Sequence, residues 1–154
     1  MELLLWRHGE AEPGVPDLGR ALTGKGEKQA RRVAAWLHAH LPDSARILVS
    51  PARRAQQTAA ALAELAPRKV KTVEALTPGA SAEDVLNAVG WPQARAAIVV
   101  VGHQPTLGWV ASRLLTGAEA DWPIKKGGVW WISSRNRDGV DQAVVRAVIG
   151  ADLL

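Results

Sequence analysis

The run Ala96–Val101 is apolar throughout and ends on four consecutive β-branched residues. No other feature of the chain constrains the fold as much. A strand with one face in water alternates polar with apolar residues, so a strand with no polar position has to be covered on both faces, like an inner strand of a parallel sheet. Covering both faces requires helices on each side, and hence three layers. The run is far too short for the ~20 residues of a bilayer-spanning helix.

The rest of the chain supplies the alternation such a sheet needs. Glu2–Trp6 reads as a strand, followed by a loop from Gly9 to Gly19 in which Pro13, Gly14 and Pro16 exclude regular structure. A helix starts at Thr23, carries Ala30, Val33, Ala34, Leu37 and Leu41 at helical spacing, and stops at Pro42. Arg46–Val49 and Val70–Val73 read as strands, separated by an alanine-rich helix over Ala52–Leu65 that Pro67 closes. Ser81 and Asp84 have capping-box spacing and open a helix through Val89. Pro105 precedes a helix over Leu107–Leu115, ended by Gly117. Gly128–Ser134 and Asp141–Ile149 alternate around Asn136-Arg137-Asp138-Gly139, a hairpin signal. The expected fold class is α/β: a three-layer α/β/α sandwich with a mostly parallel central sheet and a C-terminal β-hairpin.

At 154 residues the chain is expected to form a single domain, 1–154, with a substantial core. A composition 47% hydrophobic and 22% charged excludes an intrinsically disordered chain. Zero cysteines remove disulfides, thiolate metal sites and thiol nucleophiles together. The start Met1-Glu2-Leu3-Leu4-Leu5-Trp6 lacks a basic leader, so the expected location is the cytoplasm, with no membrane partner. The net charge of +4 is modest and scattered, and no stacking aromatics interleave a basic stripe, so no nucleic-acid partner is expected. Seven tryptophans stand without tyrosine or phenylalanine. Trp130 and Trp131 should point to opposite faces of their strand, one of them towards solvent as a candidate docking patch.

In a parallel sheet, ligands bind beyond the carboxyl ends of the strands. The residues there are Arg7-His8-Gly9-Glu10, Ser50-Pro51-Ala52-Arg53-Arg54, Glu74 and Gly102-His103-Gln104-Pro105. Imidazoles and guanidinium groups converging on one edge make a poor site for a cation and a good one for a phosphoryl dianion. His38 and His40 fall in the last turn of a helix, where a cation suits the dipole, and read as surface residues. Ser50 reads as an organiser of its turn, and Lys125-Lys126 as a solvated turn that could steer acidic partners.

Four motifs in sequence carry a resemblance. Arg7-His8-Gly9, Leu22-Thr23-x-x-Gly26, Ser50-Pro51-x-x-Arg54-x-x-Gln57-Thr58 and Gly102-His103-x-Pro105 together resemble the histidine phosphatase (phosphoglycerate mutase-like) superfamily from Leu3 to about Gly108. The shortness of the chain and Glu74-Ala75-Leu76-Thr77-Pro78-Gly79 look like its SixA-type phosphohistidine phosphatases. The resemblance implies a metal-independent phosphatase with no cofactor, in which His8 is the nucleophile. Arg7, Arg54 and His103 would hold the phosphoryl oxygens, and Gly9 would let the backbone approach them. Motif spacing selects Arg54 over Arg53. Glu74 is a candidate proton donor, provided burial tunes its carboxyl upward. The implied substrate is a protein phosphohistidine, such as that of a histidine phosphotransfer domain in two-component signalling, with the enzyme expected as a monomer. The alternatives are a small-molecule phosphomonoesterase of the same superfamily, acting on a sugar phosphate or nucleotide, and a non-catalytic phosphate- or nucleic-acid-binding module.

Overall fold

A computed structural model describes all residues, Met1–Leu154. One six-stranded sheet runs through it, built from β1 (Glu2–Arg7), β2 (Arg46–Val49), β3 (Val70–Thr72), β4 (Ile98–Gly102), β5 (Val129–Arg137) and β6 (Val140–Ile149). The spatial order is β3-β2-β4-β1-β5-β6, and the first four strands are parallel while β5 and β6 run antiparallel to their neighbours. The apolar run of the sequence is β4, buried along its whole length between β2 and β1.

The helices α1 (Gly24–His40) and α2 (Arg53–Ala63) pack against each other on one face, and α3 (Ala82–Val89) and α4 (Thr106–Thr116) on the other. The alternation of β4 divides the core accordingly. Val99 and Val101 join Val33, Leu37 and Leu62 on the first face, while Ile98 and Val100 join Val85, Leu107 and Val110 on the second. No helix is long and apolar enough to cross a membrane.

Local rules set the element ends. Thr23 caps α1 by accepting from Gly26 N–H at 3.0 Å. Ser81 and Asp84 form the expected capping box on α3, and Gly90 ends that helix in the left-handed conformation. At the hairpin, Asp138 and Gly139 both have positive φ, 51° and 81°, as a two-residue turn of the right twist demands. The ladder therefore continues through Asn136↔Asp141 and Arg137↔Val140, where the sequence suggests a wider loop.

The tryptophans differ from expectation. Trp131 is buried and meets Trp36 edge-on at 6.1 Å, while Trp130 is half-buried against Trp122. Trp36 of α1 covers Trp131, and Trp122, from the loop after α4, packs on Trp130, so neither member of the pair forms an exposed patch, and none of the seven is exposed.

Candidate active site

Parallel pairing brings the motifs together. Arg7 on β1 is in register with Gly102 on β4, so His8 and His103, each one residue further on, leave the sheet side by side with ring centroids 5.1 Å apart. Beyond β2, Ser50 Oγ accepts from Ala52 N–H at 3.2 Å, which shapes the turn into α2. That turn delivers Arg54 to the same place, and Arg54 is only 4% exposed. Arg53, its neighbour on the first turn, is exposed and does not line the cavity. The resulting cavity, of about 230 Å³, is lined by Arg7, His8, Arg20, Arg54, His103 and Lys126 together with Ala11, Pro78 and Gln104. Roomier hollows elsewhere hold no comparable set of groups.

The tautomer of His8 follows from its partners. Gly9 O can only accept, so the contact at 2.6 Å puts the proton on His8 Nδ1 and leaves the Nε2 lone pair facing Arg54, whose Nε–H approaches to 3.3 Å. Burial, and then the charges of Arg54, Arg7 and Arg20, push the His8 imidazole down to about 4 against the opposing pull of the Gly9 carbonyl. Burial first, and then His8 and Arg54, push His103 down to about 3. Both rings are therefore neutral at pH 7. Ser50 Oγ lies 2.7 Å from His103 Nε2. The other ring nitrogen, Nδ1, is buried and without a partner. Arg7 donates to Ile124 O at 2.7 Å, and its Nε is likewise buried and unpaired. Burial also lowers Arg7 from its ordinary range. Unpaired buried polar groups are costly unless a ligand satisfies them.

The remaining motif residues brace the loop that follows β1. Thr58 Oγ1 accepts from Gly9 N–H at 3.2 Å and donates to Arg54 O at 2.8 Å, while Gln57 Oε1 accepts from Leu22 N–H at 2.7 Å. Gly9 also allows close packing: a Cβ on it would sit 2.5 Å from Gly26 O. A Cβ on Gly26 would in turn overlap the Glu10 carbonyl. The two motif glycines let the start of α1 lie directly on the β1 loop.

Two residues escape sequence reasoning. Arg20 lines the cavity, and Asp17 binds two of its arginines from behind: Oδ1 accepts from Arg20 Nη1 at 3.0 Å, Oδ2 from Arg54 Nη2 at 3.1 Å, and the Asp17 carbonyl from Arg54 Nη1 at 2.8 Å. Those hydrogen bonds hold the Asp17 carboxyl below its usual range. Their only signal is position, a single aspartate and a single arginine between Gly14 and the Leu22-Thr23 motif. Glu74 lies apart from the cluster. It is exposed, on a 3-10 turn Glu74–Leu76 past the edge strand β3, and does not line the cavity.

Comparison with known proteins bears on this arrangement. The family model of the histidine phosphatase superfamily (branch 1) matches residues 3–77. Phosphohistidine phosphatase SixA of Escherichia coli is 30% identical over 125 residues, 76% of each chain. A solved structure of the protein histidine phosphatase SixA with tungstate covers 99% of both chains at a TM-score of 0.84 and 23% identity. A phosphoserine phosphatase of Entamoeba histolytica, solved with 3-phosphoglyceric acid, shares the fold at a TM-score of 0.69 and 19% identity, covering 96% of this chain and 95% of that one. Four motifs in one order, the convergence of three of them on one cavity and a relative aligned over three quarters of both chains lead to one conclusion: the chain belongs to the histidine phosphatase superfamily and is a phosphatase.

Proposed function

We propose that the protein hydrolyses phosphohistidine on a protein partner, such as a histidine phosphotransfer domain, through a covalent intermediate on His8. The observation that carries this reading is the state of His8. Its proton is on Nδ1, its Nε2 lone pair faces the cavity and accepts only from Arg54 Nε–H at 3.3 Å, and arginines surround it.

In the first step Nε2 attacks phosphorus in line, the phosphorus–nitrogen bond of the substrate breaks, and the departing imidazole nitrogen takes a proton from water. In the second step water attacks the phosphoryl group on His8, releasing inorganic phosphate and returning the ring to its neutral form. Arg7, Arg54 and His103 receive the equatorial oxygens, with Arg20 adding charge at the mouth. When the phosphoryl oxygens arrive, Arg54 Nε–H turns from Nε2 to one of them, which exposes the lone pair for attack.

The lining of the cavity also favours phosphohistidine over a phosphate ester. None of its residues is a carboxylate, and Glu74 stands outside it. An alkoxide leaving group needs an acid close by, whereas an imidazole is basic enough to take its proton from water. The kinship with SixA, named for phosphohistidine, points the same way. The test compares phosphate release from a phosphohistidine protein with release from a panel of small phosphomonoesters, in EDTA, for wild type and His8→Ala. A preference for phosphohistidine that vanishes in the variant supports the proposal. A preference for esters keeps the nucleophile and discards the substrate, and no release from anything leaves a binding module.

A further inference from the structure

The loop between β1 and α1 carries side chains that the chemistry does not use. Ala11 and Arg20 line the cavity, yet between them Val15 is 96% exposed and Leu18 47% exposed. Both flank Asp17, whose carbonyl touches Arg54. Ala11 and Arg20, on either side of Pro13–Leu18, both line the cavity, so that segment borders it.

The loop is built to stay there. Ala11 bridges Leu22, Glu12 N–H donates to Ala21 O at 2.8 Å, Arg20 Nε donates to Glu12 O at 2.7 Å, and Gly19 N–H donates to Pro16 O at 3.0 Å. Pro13 and Pro16 restrict φ within it. Apolar side chains held out on a fixed frame lose little freedom when a partner covers them, and that favours binding. The other exposed large apolar residues lie on other elements: the end of α2, the edge strands and the C-terminus.

Charge and size restrict the partner. Lys126, about half exposed and 4.0 Å from Glu10, and Arg20, paired with Asp17, line the cavity next to the loop. A cavity of about 230 Å³ is small for a complete ligand. It holds a phosphoryl group and the ring that bears it, so recognition of anything more occurs outside.

We propose that Pro13–Leu18 is a docking lip for the phosphohistidine-bearing protein, with Val15 and Leu18 packing on apolar surface beside the phosphorylated histidine while Arg20 and Lys126 meet acidic side chains around it. This rests on the protein-substrate reading above. The test uses a histidine phosphotransfer domain phosphorylated with phosphoramidate, and p-nitrophenyl phosphate as the small substrate. The variants are Val15→Ser/Leu18→Ser and Val15→Glu/Leu18→Glu. The serine pair is expected to lower kcat/KM on the phosphoprotein about tenfold, equivalent to 1.4 kcal/mol, chiefly through KM. The glutamate pair should lower it further, by repelling acidic side chains. Both variants should hydrolyse p-nitrophenyl phosphate within about twofold of wild type, as exposed substitutions away from the chemistry do. Equal losses on both substrates, or an unchanged rate on the phosphoprotein, overturn the docking lip. A wild type that hydrolyses only the small ester overturns the protein-substrate reading itself, and the lip with it.

Discussion

The carboxyl pole of the parallel strands and the C-terminal hairpin are built on opposite principles. At the pole, Ser50, Arg54, Thr58 and His103 are polar yet buried, and all four side chains make hydrogen bonds with neighbours on other elements or their own turn. His103 leaves Nδ1 unpaired. In the hairpin the exposures reverse: Val140, Val145 and Val148 on the edge strand β6 are apolar and stand 41–59% exposed. Water competes for every polar contact at the hairpin but for few at the pole, so side-chain identity matters at the pole and alternation is sufficient at the hairpin.

The sharpest way to break this contrast is to remove a polar side chain from the pole. Arg54→Ala is expected to lower kcat/KM by about 10²–10³, the scale of a lost oxyanion donor, while Arg53→Ala stays within about twofold. Steady-state kinetics on both variants check this, and an impaired Arg53→Ala beside an active Arg54→Ala would reverse the assignment. A change of similar chemical size in the hairpin, Val145→Thr, should move stability by less than about 0.5 kcal/mol.

Backbone packing beneath the site is the next lever. Gly26→Ala drives a methyl group into the Glu10 carbonyl, with an expected loss of about 1–3 kcal/mol and a fall of several degrees in Tm, measured by calorimetry. Gly139→Ala in the hairpin meets no neighbouring atom but must hold φ 81°, so it strains the turn alone.

Acid should separate the regions as well. His8 and His103 titrate near 4 and 3 in the fold, below the 6.5 of an unfolded histidine. Above 6.5 neither state binds the proton, and the pair leaves stability unaffected. As pH falls below 6.5 the unfolded chain takes up protons that the fold refuses, so stability is lost progressively, down to about 4 for His8 and about 3 for His103. Thermal melts of His103→Asn between pH 7 and 4 should decline less steeply than those of wild type. Bound phosphate should flatten the wild-type decline, because a bound anion favours protonated imidazole.

The smallest effect is expected at Glu74. Glu74→Gln should alter phosphohistidine hydrolysis by less than about twofold, since the side chain is exposed and outside the cavity. A large loss in rate assays would return the proton-donor role to it.

These differences also mark what the sequence shows. The inner strand β4, the capping box on α3 and the four motifs are legible because each follows a local rule: apolar runs, cap spacing, fixed offsets. The adjacency of His8 and His103 follows once β1 and β4 are neighbours, since both residues leave the sheet at the same level. Asp17 and Arg20 are not legible, because a proline- and glycine-rich loop has no periodicity to show which way it folds back. Its course is set by long-range contacts to Arg54 and Gln57. The role of Gly9 is obscured for a similar reason, since its partner Gly26 belongs to a different motif.

The central claim is that His8 Nε2 carries the phosphoryl group between the two steps. Rapid acid-free quench of wild type with a phosphohistidine protein, followed by mass spectrometry of the intact enzyme and its peptides, tests it most directly. The account predicts one acid-labile phosphoryl group on His8 within a single turnover, and none in His8→Ala, whose turnover should fall by on the order of 10⁴ or more. Sustained turnover by His8→Ala, or a phosphoryl group found on another residue, would contradict it.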